Sequence, residues 1–119
     1  QNYAILLMEK EQFGDAIRFF QKVIRQHPTD LISLVNLSFC YNEEKQHELS
    51  LRSAEQAIQL KSDYVDAWFN RGNALNNLKR HDEALVSYKQ AVALNPAHVS
   101  AWFNLGITLY LLMELQVLR

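Results

Sequence analysis

An all-α solenoid of antiparallel helix pairs is the fold this sequence predicts, and three observations predict it. Asparagine recurs every 34 residues, at Asn2, Asn36, Asn70 and Asn104. Small and apolar residues recur in the same register: Ala4, Ser38, Gly72 and Gly106, then Leu7, Tyr41, Leu75 and Leu109. Strand signals are missing, since no run alternates apolar and polar residues with β-branched enrichment, and the chain holds only 3 glycines. A period of this length marks stacked helix pairs, each burying its apolar face against the next.

Apolar spacing predicts helices over 1–11, 13–27, 30–44, 47–61, 64–78, 81–95 and from 98 onward. The chain opens at Gln1-Asn2-Tyr3, already inside a helix whose buried side holds Ala4 and Leu7. Ala16, Phe20 and Val23 share one face of the second helix, spaced by four and three. Pro28-Thr29-Asp30 stops it and caps the third, which turns Leu34, Ser38 and Tyr41 to one side. The fourth repeats the scheme with Ser50, Ala54 and Ala57, smaller residues that predict looser packing in this pair. After Ser62-Asp63, the fifth places the large ring of Trp68 beside Gly72 and Leu75, so that a neighbouring helix can approach closely. The sixth answers with Ala84, Tyr88 and Ala91 and ends at Asn95-Pro96. The last carries Trp102, Gly106 and Leu109 into Leu111–Arg119, where no Gly, Pro or Asn breaks the run. One continuous helix from about Ala97 and a helix pair both fit that stretch. Its apolar residues read as an end that a further repeat covers, in a fragment of a longer array.

The strings Ala67-Trp68-Phe69-Asn70-Arg71-Gly72-Asn73-Ala74-Leu75, Asp82-Glu83-Ala84 and Tyr88-Lys89-Gln90-Ala91-Val92-Ala93-Leu94-Asn95-Pro96 resemble the tetratricopeptide repeat (TPR). Ala101-Trp102-Phe103-Asn104-Leu105-Gly106 repeats the match. The resemblance covers essentially the whole chain, about three and a half units, near 1–30, 31–64, 65–98 and 99–119. It implies a right-handed superhelix that binds protein. The asparagine register is also similar to the ladder in the TPR superhelix of O-GlcNAc-transferase-like proteins, and carries over onto Asn2, Asn36, Asn70 and Asn104. Departures are Arg71, where the family usually has leucine, and Ser62, where it usually has proline.

Geometry gives the ladder a role. From Asn70, the stripe facing away from Trp68, Gly72 and Leu75 contains Asp66, Asn73 and Asn77, flanked by Phe69 and Asn76. Phe39 and Phe103 hold the corresponding places in the neighbouring units. Packed helices lie ~8–10 Å apart, and an extended peptide advances ~3.3 Å per residue. A carboxamide on each first helix therefore meets such a peptide about every third residue, with one acceptor and two donors for its backbone. The expected peptide-binding set is Asn2, Asn36, Asn70, Asn104, Phe39, Phe69, Asn73, Phe103, Asp66 and Asn77. The asparagines serve equally well, on sequence grounds, to tie adjacent repeats together.

Composition narrows the alternatives. Twelve basic and thirteen acidic residues, net charge −1, leave no footprint for nucleic acid. No segment approaches the ~20 apolar residues of a membrane span. The single Cys40 forms no internal disulfide and fits a reducing, cytoplasmic setting. The four histidines lack metal-ligand spacing, with His47 and His81 one repeat apart at a packing position. No phosphate loop or nucleophile, base and acid set is present, so neither enzyme activity nor a cofactor is expected. The carboxylate clamp of some TPR co-chaperones needs Lys and Arg on the concave face, where this chain has uncharged residues or Asp66. The reading is a protein-interaction scaffold for an extended peptide. Two rivals stay open: the substrate-recognition arm of a larger glycosyltransferase, and an assembly module that forms a homo-oligomer through the apolar C-terminal helix.

Overall fold

The computed structural model describes residues 2–9 and 12–118, except for the side chains of residues 2, 8 and 9. Among the described residues seven α-helices follow one another: α1 (Asn2–Glu9), α2 (Phe13–Gln26), α3 (Leu31–Glu43), α4 (His47–Leu60), α5 (Val65–Asn77), α6 (His81–Leu94) and α7 (Val99–Val117). The boundaries of α2 to α6 fall within one residue of those expected from spacing. The C-terminal stretch is one helix of 19 residues, because nothing in it supplies a stop. Among the described residues no helix is long and apolar enough to cross a membrane.

Helices pair as α1 with α2, α3 with α4 and α5 with α6, and the pairs stack into a body 47 × 25 × 22 Å. The turns inside the α3/α4 and α5/α6 pairs are each made by a lysine in the left-handed region, Lys45 at φ 61° and Lys79 at φ 64°. The next amides, of Gln46 and Arg80, donate back to the carbonyls of Tyr41 and Leu75 at 2.8 Å. That bond closes the helix end and offsets the cost of a non-glycine residue there.

Turns between pairs are pinned by tryptophan. The Trp68 indole donates to the Ser62 carbonyl at 2.7 Å, and Trp102 does the same to Pro96 at 2.8 Å. The caps differ from those expected. Asp30 caps α3, but the residue heading α5 is Tyr64, which lends no side-chain bond. α7 is capped by His98, whose Nδ1 accepts from the Ala101 amide at 3.1 Å. Asn95 instead bends the turn, accepting from the Ala97 amide at 3.1 Å.

The core is a chain of small clusters rather than one centre, as expected where each pair touches only its neighbours. Phe20, Leu34, Leu75 and Tyr88 are buried, each stabilising the fold by roughly 1.5–3 kcal/mol. Gly72 lets the Tyr88 ring lie on the α5 backbone, so close that an added Cβ would stand 2.6 Å from Cε1. The α3/α4 pair, expected to be loose, is closed by hydroxyls. Ser38 Oγ donates to the Ser50 carbonyl at 3.0 Å and Ser50 Oγ to that of Ser38 at 2.7 Å, both buried. Small polar residues here bring the two backbones together instead of leaving a void.

Candidate functional site

The first helices of successive pairs, α3, α5 and α7, line one side of the solenoid, and two clefts succeed each other along it. One, of 300 Å³, is bounded by Val35, Asn36, Phe39, Asp66, Phe69, Asn70 and His98. The other, of 340 Å³, is bounded by Asn42, Glu43, Asn73, Asn76, Asn77, Tyr88 and Asn104. From Asp66 at the start of α5 to Asn77 at its end the helix rises about 16 Å. The clefts thus form one shallow trough running beside α5.

The structure brings together most of the residues picked from the sequence, though their amides differ in what they do. Asn36 is half-buried at the lip of the first cleft, beside exposed Phe39 and Asp66 and half-buried Phe69. Asn70 is only 5% exposed, and its Nδ2 donates to the Val35 carbonyl of the preceding repeat at 3.2 Å. Asn104 donates to Asn73 Oδ1 at 3.0 Å, again across a repeat boundary. Asn73 Oδ1 also accepts from the Tyr88 hydroxyl. With both lone pairs engaged, the N–H groups of Asn73 are what it can offer a ligand. Asn77 donates along its own helix to the Asn73 carbonyl at 2.9 Å. Phe103 lies apart from both clefts, 67% exposed on α7 with Trp102, Ile107 and Tyr110. The Asn2 side chain lies outside the described residues. At Asn70 and Asn104 an evenly open ladder gives way to repeat-to-repeat bonds, because the neighbouring helix brings an acceptor within reach.

The sequence reading has no cleft role for Asn42, Tyr88 or His98. Asn42 and Asn76 form a second 34-residue register. Asn42 Oδ1 receives His47 Nδ1 at 3.0 Å, and its Nδ2 donates to the Asn70 carbonyl at 3.3 Å. One repeat on, Asn76 Oδ1 receives His81 Nδ1 at 2.8 Å. Its Nδ2 reaches the Asn104 carbonyl through the Thr108 hydroxyl, in two steps of 2.8 Å. An amide oxygen cannot donate, so both histidines carry their proton on Nδ1. The paired spacings Asn42 to Asn76 and His47 to His81 are the signal from which this relay could have been read.

The trough is acidic to neutral. Among the described residues its lining carries Asp66 and Glu43 and no lysine or arginine. His98 stacks beside Phe69, ring centres 4.7 Å apart, and closes the first cleft from α7. Burial pushes the Tyr88 phenol up to about 12, so it stays a neutral donor. Burial likewise pushes the Cys40 thiol up to about 12, with Glu43 and Glu44 adding to the rise. The thiol is therefore a packing group rather than a nucleophile. Among the described residues no three His, Cys, Asp or Glu side chains converge to hold a metal ion.

The tetratricopeptide repeat profile matches residues 65–98, and a second profile of the same description matches residues 2–30, together just over half of the chain. The chain belongs to the tetratricopeptide repeat family. Over 66 residues this TPR chain is 32% identical to a heat shock protein sti1 homolog of Schizosaccharomyces pombe, a match that takes in 56% of the chain and 11% of that relative. Its fold is similar to the Sgt2 TPR domain from Aspergillus fumigatus, with TM-score 0.93, 21% identity, and coverage of 98% of this chain and 78% of that one. It is also similar to the first TPR of Spaghetti (RPAP3) bound to the HSP90 peptide SRMEEVD, with TM-score 0.91, 20% identity, and coverage of 95% and 90%. The second TPR domain of human RPAP3, in complex with an HSP70 peptide, gives TM-score 0.85 at 20% identity, covering 90% and 89%.

Proposed function

We propose that this TPR chain is a non-catalytic docking scaffold that holds an extended peptide in the trough beside α5. The observation that carries the reading is the coincidence, on one face, of two adjoining clefts with side chains suited to a peptide backbone and its apolar side chains. TPR domains of similar fold are seen with bound peptides, which supports the same use here. In this reading the array divides near 1–30, 31–64, 65–98 and 99–119. Asn36, Asn73 and Asn77 bond the peptide backbone, Phe39 and Phe69 take its apolar side chains, and Asp66 stands at the rim. Asn70 and Asn104 hold the walls at their spacing. Asn2 shares the 34-residue register of these amides, and Phe103, outside the clefts, belongs to the exposed apolar face of α7.

Selection of a displayed random twelve-residue peptide library on the 119-residue chain tests this. Selected peptides should bind Asn36→Ala and Asn73→Ala at least five-fold more weakly, with helicity by circular dichroism unchanged. Asn70→Ala should lower the melting temperature instead. Recovery of no peptide above background, or binding indifferent to Asn36 and Asn73, overturns the proposal.

A second reading has its own observation. α7 leaves Trp102, Ile107, Tyr110, Met113 and Leu115 exposed along one helix, a surface suited to self-association.

A further inference from the structure

The charges of this chain are sorted by helix. Among the described first helices, α1, α3, α5 and α7, the only Lys or Arg is Arg71. Arg71 faces away from the trough: its Nε meets Glu55 Oε2 at 3.2 Å, its Nη1 meets Ser87 Oγ at 2.6 Å, and it lies over the Trp68 ring at 5.8 Å. All other described cations belong to α2, α4, α6 or the turns. The trough itself holds one exposed carboxylate in each cleft, Asp66 in the first and Glu43 in the second. Among the described residues no Lys or Arg nitrogen lies within ion-pair distance of either.

From this sorting we infer that the trough takes a basic segment: an extended stretch of protein presenting lysine or arginine to Asp66 and to Glu43. The inference rests on the docking reading above and names the chemical class of its ligand. A peptide ending in acidic residues, as in the HSP90 complex of the similar domain, would bring negative charge to a surface that, among the described residues, carries no Lys or Arg to receive it. Glu43 ends α3 at the level where Asn77 ends α5, since the two are 34 residues apart. The two carboxylates are therefore separated along the helix direction by about 16 Å, the span of about five extended residues. Asn73 sits between them and offers N–H groups to a peptide carbonyl, while Phe39 and Phe69 cover an aliphatic lysine stem.

The test is the composition of the peptides selected from the displayed library. Selected sequences should be enriched in Lys or Arg, with two basic positions four to six residues apart. A fluorescein-labelled peptide of that consensus should bind Asp66→Asn and Glu43→Gln each about two- to five-fold more weakly, as for exposed ion pairs. Its affinity for the unsubstituted chain should fall as salt rises. Both residues are exposed, so neither substitution endangers folding. Selection of acidic or uncharged peptides that still lose affinity on Asn36→Ala overturns the charge assignment and leaves the docking reading standing. Binding of basic peptides unaffected by both Asp66→Asn and Glu43→Gln also overturns it. Recovery of no peptide at all removes the docking reading and this inference together.

Discussion

Gly72 and Gly106 occupy the same place in successive repeats, yet the structure assigns opposite signs to the same substitution. An added Cβ at Gly72 would stand 2.6 Å from Tyr88 Cε1 and 2.9 Å from Cδ1 and Cζ. The ring cannot step aside easily, since Tyr88 is 1% exposed and its hydroxyl is held by Asn73. Overpacking of this kind costs about 1–3 kcal/mol, against which alanine regains about 0.5–1 kcal/mol of helix propensity. The net loss for Gly72→Ala is then about 1 kcal/mol at mid-range and at most about 2.5 kcal/mol. At Gly106 the same Cβ meets nothing within 4 Å, so Gly106→Ala should gain about 0.5–1 kcal/mol. For a chain of this size ~1 kcal/mol corresponds to about 3–5 °C in melting temperature. Thermal unfolding followed by circular dichroism should show Gly72→Ala melting below the parent and Gly106→Ala above it. If both alanines raise the midpoint equally, the seating of the Tyr88 ring on the α5 backbone is wrong.

Cys40 is buried with its thiol pushed up to about 12, so at pH 8 iodoacetamide should label it only through unfolding. Labelling as fast as for a model thiol would contradict that. Burial first, and Lys45 second, hold the His47 imidazole below its usual 6.5. The unfolded chain therefore binds this proton more readily, and stability should fall as pH drops below 6.5. Titration of melting temperature from pH 7.5 to 5 should show a shallower decline in His47→Gln; identical slopes would refute the assignment. The exposed side of α7 predicts concentration-dependent association in light scattering, which Leu115→Glu should reduce. A parent chain that scatters as a monomer at every concentration removes the second reading.

The fold was legible because its signal is repeated. Trp68 and Trp102, Gly72 and Gly106, and Pro28 and Pro96 each announce a role once and confirm it one or two periods later. Cap chemistry was less legible, because several side chains compete at each turn. Ser62 and Asp63 look like caps, yet Tyr64 heads α5, and His98 caps α7 through a ring nitrogen that composition does not advertise. Lys45 and Lys79 adopt a backbone that sequence rules reserve for glycine or asparagine; only the bonds from Gln46 and Arg80 reveal why. Within the site, spacing put Asn36, Phe39, Asp66 and Phe69 on one side of their helices, and in the structure these four line the same cleft. It could not separate amides facing the cleft from those bonded to a neighbour, since both uses share one register. Asn70 turns its N–H to the preceding repeat because Val35 presents a carbonyl at bonding distance, a fact of helix separation rather than of sequence.

The bonds that leave Asn42, Asn70, Asn76 and Asn104 have a mechanical consequence. Apolar helix faces constrain sliding only weakly, but a directional bond to a particular oxygen breaks when its acceptor shifts by an ångström or two. Four such rivets cross successive layers here, so the stack resists shear and holds its pitch under load. Such a stack is a body of fixed gauge rather than a spring that stretches.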